Sequence, residues 1–132
     1  MAKTILIVDQ DMLFVEPIRQ KLLCAGCKVL TARSQAEAER IIQATRPDLM
    51  ITEVILEQLD SGFCLAWQVK NKYPQVPIIM LSAVTWHTGL YFGLSTPEDR
   101  NWIKADVFLD KPIRLEELES AIASFLQPAK AA

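Results

Sequence analysis

Apolar residues along the chain come in two rhythms. Four short runs are nearly unbroken: Ile5-Leu6-Ile7-Val8, Leu49-Met50-Ile51-Thr52, Pro77-Ile78-Ile79-Met80-Leu81 and Val107-Phe108-Leu109. They read as strands covered on both faces, since a strand with one wet face alternates apolar and polar side chains. Lys28 to Ala32 is a fifth, more polar strand. Between these runs apolar residues recur at helical spacing. Phe14, Ile18 and Leu22 mark a first helix, which Gly26 closes. If it starts after Asp11, Pro17 lies beyond the first turn and removes a backbone bond, so a kink or a late start at Glu16-Pro17 is expected. Ser34, with Glu37 three residues on, has the form of a capping box. It opens a helix with Ala38, Ile41, Ile42 and Thr45 on its inner face, ended by Arg46-Pro47.

A loop follows the third strand, and residues 62–72 form a helix that buries Phe63, Ala66 and Trp67 and stops before Pro74. Thr96-Pro97-Glu98-Asp99 starts a short helix ending near Ala105: a cap, a proline at the first position, then acids in the first turn. Leu115, Leu118, Ile122, Phe125 and Leu126 mark the last helix. Residues 1–126 are expected to form a single domain, with 127–132 a flexible tail. Five β-then-α units imply an α/β fold: a five-stranded parallel sheet with five helices on both faces. The favoured arrangement is doubly wound and flavodoxin-like, in the order 2-1-3-4-5.

Composition narrows the classes. With 132 residues and 51% hydrophobic content the chain suits one domain with a buried core, without room for an output domain. A net charge of -2 sets up no basic field toward nucleic acid or membrane, and no helix-turn-helix fits. No apolar run approaches the roughly 20 residues of a membrane span. The first strand is too short for a signal-peptide core and lacks a cleavage site, so a cytoplasmic location is expected. Cys24, Cys27 and Cys64 are an odd number for a disulfide framework. Cys24-Ala25-Gly26-Cys27 lies at a helix end, far in sequence from Cys64 and His87, and is expected to supply small buried side chains.

In a doubly wound sheet, function gathers at the carboxyl ends of the strands. Asp9, Gln10 and Asp11 follow strand one, Glu53 ends strand three, Ser82 follows strand four, and Asp110-Lys111-Pro112 follows strand five. Carboxylates, a hydroxyl and a lysine converging in one pocket suit a hard cation together with a phosphoryl group.

These segments resemble the receiver domain of bacterial two-component response regulators. Ile5-Leu6-Ile7-Val8-Asp9-Gln10-Asp11 is similar to the family's opening strand and acidic pair. Pro47-Asp48-Leu49-Met50-Ile51-Thr52-Glu53 is similar to the strand that delivers the phosphate acceptor. Ile78-Ile79-Met80-Leu81-Ser82-Ala83 resembles the strand ending in the switch hydroxyl. Ala105-Asp106-Val107-Phe108-Leu109-Asp110-Lys111-Pro112 resembles the segment with the switch aromatic and the lysine. The four motifs occur in the family's order over nearly the whole chain. The resemblance implies a phosphorelay setting. There an acceptor aspartate attacks a phosphohistidine on a partner kinase, and magnesium held by that aspartate and the acidic pair neutralises developing charge. Lysine and hydroxyl bind the phosphoryl oxygens, and hydroxyl and aromatic move together. By position, Lys111, Ser82 and Phe108 take the last three roles.

Three positions depart from that pattern. Glu53 stands at the acceptor position, its carboxylate one methylene further out, and a misplacement of about 1 Å can cost ~100-fold in rate. Gln10 replaces the second acid of the pair, the family's direct metal ligand, so magnesium binding through Asp9 and Glu53 is expected to be weak. Asp11 is expected to serve as a helix N-cap rather than a substitute ligand. Glu57 stands where the family usually has proline, and Leu59-Asp60-Ser61-Gly62 is one residue longer than the usual turn. A salt bridge from Glu53 to Lys111 would partly mimic the phosphorylated state, with one charge against the phosphate's ~1.5 to 2. Either that mimicry or mere neutralisation of a relic pocket accounts for Glu53.

The segment 84–95, Val-Thr-Trp-His-Thr-Gly-Leu-Tyr-Phe-Gly-Leu-Ser, lengthens the connection after strand four beyond the family norm. Trp86, Leu90, Tyr91 and Phe92 form either a partner or self-association surface, or a seal over the core. The leading functional expectation is a non-catalytic, phosphorylation-independent module that contacts a histidine kinase or downstream effector, with a homodimer as one form. The alternative is a working acceptor, phosphorylated with magnesium on Glu53 or a neighbouring acid. A flavodoxin-like ligand binder is disfavoured, because no glycine-rich phosphate loop follows strand one.

Overall fold

The computed structural model describes residues 2–82 and 104–126. Five parallel strands, β1 (Thr4–Val8), β2 (Lys28–Ala32), β3 (Leu49–Glu53), β4 (Ile78–Ser82) and β5 (Val107–Asp110), lie in the order β2-β1-β3-β4-β5. Four helices are described: α1 (Met12–Cys24), α2 (Gln35–Ala44), α3 (Ser61–Lys72) and α4 (Leu115–Leu126). The expected helix from Thr96 lies outside the described residues, apart from Lys104 and Ala105 at its end, which are not helical.

Strand pleating sorts the apolar runs into two cores. Leu6, Val8, Met50, Ile78 and Met80 face Ala38 and Ile42 of α2 and Phe63, Leu65, Ala66 and Val69 of α3. Their neighbours Ile5, Ile7, Leu49, Ile51, Ile79 and Leu81 face Val15, Ile18 and Leu22 of α1 and Leu118 and Ile122 of α4. With both faces covered, the strand ends are the part of the sheet open to chemistry.

Several local expectations are corrected. Of the two alternatives for Pro17, the late start at Glu16-Pro17 is not the one that forms, since α1 starts at Met12. Asp11 caps it, accepting from the N–H groups of Leu13 and Phe14, and Pro17 sits inside the helix. The carbonyl that Pro17 leaves without its helical donor is that of Leu13, on the solvent side, where water can serve it. At the other end, Cys27 N–H donates to Leu22 O and Gly26 N–H to Leu23 O, with Gly26 at φ 88°, a Schellman closure. This leaves Cys24 exposed rather than buried. Trp67 is 57% exposed, because the buried stripe of α3 runs through Gly62, Leu65, Ala66 and Val69 and Trp67 lies well round the helix from it. Thr45 is the exposed C-cap of α2 rather than part of its inner face. Ser34 Oγ accepts from Glu37 N–H as expected, but the Glu37 carboxylate accepts from Arg33 N–H rather than from Ser34.

Two contacts fix the end of β3. Val54 N–H donates to Leu81 O, and Gly62 N–H donates to Val54 O at 2.7 Å. A Cβ on Gly62 would collide with the carbonyl oxygen of Glu53 and stand 2.7 Å from Val54 Cα. Only glycine allows the start of α3 to lie this close to the acid-bearing strand end.

Candidate functional site

The turn after β5 carries Lys111 across to the ends of β1 and β3. Its ammonium stands 2.7 Å from Asp9 Oδ2 and 3.1 Å from Glu53 Oε1. The three side chains are 16%, 5% and 13% exposed respectively, so the cluster is nearly dry. The remaining carboxylate oxygens are also engaged. Asp9 Oδ1 accepts from Asp11 N–H at 2.9 Å, and Glu53 Oε2 accepts from Val54 N–H at 2.7 Å. Asp9 is held from behind by its own N–H, which donates to Ala32 O and carries the β1–β2 ladder one bond further. The Lys111 ammonium also stands 4.3 Å from the centroid of the Phe14 ring.

Burial by itself would lower the pKa of Lys111. The hydrogen bond and charge of Asp9, joined by the charge of Glu53, outweigh it and hold the ammonium above the usual 10.5. Lys111 is therefore a cation across the whole neutral range.

The chemistry open to this arrangement is limited. Glu53 is a carboxylate of the kind that can act as a nucleophile, and its two oxygens are oriented by the Lys111 ammonium and the Val54 N–H. Magnesium takes six oxygen ligands in near-ideal octahedral geometry, usually anchored by carboxylates. Only Asp9 and Glu53 face each other here, and one ammonium already bridges them. Gln10 is exposed and uncharged, and Asp11 spends its carboxylate on the α1 cap. Among the described residues no three acids, histidines or cysteines are grouped to hold a metal. This donor set falls short of a magnesium site.

A family model for the response regulator receiver domain matches residues 5–123. This chain belongs to the response regulator receiver family. The receiver is 31% identical over 130 residues to response regulator MprA of Mycobacterium ulcerans, covering 98% of this chain and 53% of that protein. It spans about half the length of the curated relatives it matches. It superposes with a TM-score of 0.75, at 29% identity, on the signal receiver domain of a signal transduction histidine kinase from Syntrophus aciditrophicus, covering 99% of this chain and 95% of that one. On chemotaxis response regulator CheY4 of Vibrio cholerae the TM-score is 0.78 at 24% identity, covering 96% and 100%, a likeness of fold. The receiver is thus a two-component signalling domain with the flavodoxin-like fold.

Of the residues singled out from sequence, the receiver brings Asp9, Glu53 and Lys111 into contact. The backbone of Ser82 ends β4 opposite Asp110 of β5. Phe108 is partly buried and packs against the core on the α2 and α3 side. Trp86, His87, Leu90, Tyr91 and Phe92 lie outside the described residues, as does the tail 127–132. Among the described residues no helix is long and apolar enough to cross a membrane.

Sequence reasoning missed two participants. Phe14 was placed on the core face of α1, and nothing in helical spacing says that its ring also meets a lysine from the turn after β5. Glu57 was noted only as a departure from proline. Its carboxylate accepts from Gln35 N–H at 2.6 Å and Ala36 N–H at 3.0 Å, pinning the loop after β3 to the first turn of α2. With Ser34 serving Glu37, the first three N–H groups of that helix are all satisfied. Desolvation opposes ionisation of Glu57, but the bonds from Gln35, Ala36 and its own backbone prevail and hold its carboxyl below the usual 4.5. The cap is therefore present above pH 4.5 and fades as pH falls through the lowered value. Glu57→Gln is expected to cost about 0.5–1 kcal/mol at pH 7, the modest figure reflecting solvent exposure. In urea unfolding, the two proteins should converge in acid, and equal stability at pH 7 would rule out the cap.

Proposed function

We propose that this receiver is an atypical, phosphorylation-independent signalling module. It acts in the cytoplasm by contact with a histidine kinase or a downstream effector, or with a second copy of itself. The observation that carries this reading is the Lys111 ammonium standing between Asp9 and Glu53, with every carboxylate oxygen of that pair already partnered. In this reading Glu53 supplies the negative charge that a phosphoryl group brings in ordinary receivers, and Lys111 is drawn onto it. Ser82 and Phe108 keep the switch positions, and Trp86, Leu90, Tyr91 and Phe92 furnish the contact surface.

Incubation with acetyl phosphate and magnesium, followed by intact mass measurement, tests the proposal. The expected product is unmodified protein. A stable, magnesium-dependent gain of one phosphoryl group would overturn it in favour of a working acceptor on Glu53 or a neighbouring acid.

A further inference from the structure

Lysine ammonium has three N–H donors. On Lys111 two directions are taken by Asp9 and Glu53, and the face of Phe14 closes a further side at 4.3 Å. Phe14 belongs to the first turn of α1, and its own N–H donates to Asp11 Oδ1 at 3.3 Å. Asp11 N–H in turn donates to Asp9 Oδ1, and Asp9 Oδ2 accepts from Lys111. These contacts close a loop: ring, ammonium, Asp9, Asp11 and back to the backbone of Phe14. On the other side Phe14 lines a small hollow of about 80 Å³ between α1 and α4, with Ile18, Ile113, Leu115 and Leu118. The ring is therefore anchored in the apolar layer and presents a face to the cation.

We infer that Phe14 is a positioning residue, whose ring fixes the Lys111 ammonium between Asp9 and Glu53 and keeps water from its open side. The inference rests on the reading of Lys111 as the bridge that fills the pocket. A ring face attracts a cation through its quadrupole, and an aliphatic side chain of similar bulk does not. Leucine at this position keeps the hydrophobic contact with the α1–α4 layer and removes only the attraction. Tyrosine restores it. The helix cap then also acts on the pocket, because the N–H groups that orient Asp9 and Asp11 belong to the turn that carries the ring.

The test measures acetylation rates of individual lysines in the intact protein by mass spectrometry. In the wild type Lys111 should react far more slowly than the exposed Lys28. In Phe14→Leu, Lys111 should react about three to five times faster than in the wild type, the range of a partly exposed cation–π contact. Phe14→Tyr should return it to the wild-type rate. Ile18→Val, a core change on the same helix, should alter stability without altering Lys111 reactivity. Unchanged Lys111 protection in Phe14→Leu overturns the positioning role while leaving the bridge intact. A wild-type Lys111 as reactive as Lys28 overturns the bridge itself.

Discussion

Replacing Lys111 by methionine is expected to lower the unfolding free energy by about 3 kcal/mol at neutral pH. Methionine keeps the length and apolar stem of lysine and still packs against Phe14. What it removes is the cation that bridges two carboxylates that are 5% and 13% exposed. Breaking a buried ion pair by deleting one partner costs about 3–5 kcal/mol, because an uncompensated charge stays behind. Here two like charges are left facing each other. The slight solvent access of Glu53 and the N–H groups from Asp11 and Val54 put the estimate at the low end. The pH dependence follows from Lys111, whose folded pKa is raised above 10.5. Its stabilisation is fully present below pH 10.5 and is lost as pH rises through the raised value, so the two proteins should converge in strong alkali. Urea unfolding followed by circular dichroism across pH measures this. A loss under about 1 kcal/mol would class the cluster with ordinary surface ion pairs and sink the account of a dry, filled pocket.

The second large effect is a gain. The double substitution Gln10→Asp with Glu53→Asp is expected to accept phosphate from acetyl phosphate in a magnesium-dependent way, at least about 100-fold faster than the wild type. Shortening the acid at position 53 withdraws its carboxylate by one methylene and weakens its hold on Lys111 and on the Val54 N–H. Adding an acid at position 10, which is exposed and faces no competing bond in the helix cap, supplies the carboxylate that magnesium needs. Lys111 keeps Asp9 as a partner, so the fold should survive. Intact mass after incubation with and without magnesium reads the result, and Glu53→Asp alone should lie between the wild type and the pair. If the double variant stays as inert as the wild type, the obstacle lies elsewhere. The loop after β3 would then be the place to look, because Glu57 ties it to α2.

The site was legible from sequence to the extent that chain position determines it. Asp9, Glu53 and Lys111 each follow a buried strand run, and the sheet order brings such residues to one end whatever their side chains do. The salt bridge between Glu53 and Lys111 was expected on the same ground. Asp9 proved the nearer partner of the lysine, at 2.7 Å against 3.1 Å, although it follows β1 and Glu53 ends the central strand β3. The errors have separate causes. Trp67 was read as buried and Thr45 as inward-facing because a helical period places a stripe but not its edges. Pro17 left a kink and a late start both open because the rule against interior proline does not say whether the freed carbonyl faces water.

By itself the order of apolar runs and helical stripes determined the architecture. Strands covered on both faces have few ways to assemble, and right-handed crossovers leave one favoured order. It also determined that an unusual acid and an amide sit at the two positions on which the family's chemistry turns. Only the tertiary structure decided that Lys111 bridges to an acid 102 positions away, that Phe14 closes its open side, and that Glu57 caps a helix 22 positions earlier. These are contacts of a few ångströms between elements whose sequence patterns are independent. Local periodicity carries the sign of a face, whereas pairing depends on distances that exist only once the sheet has formed.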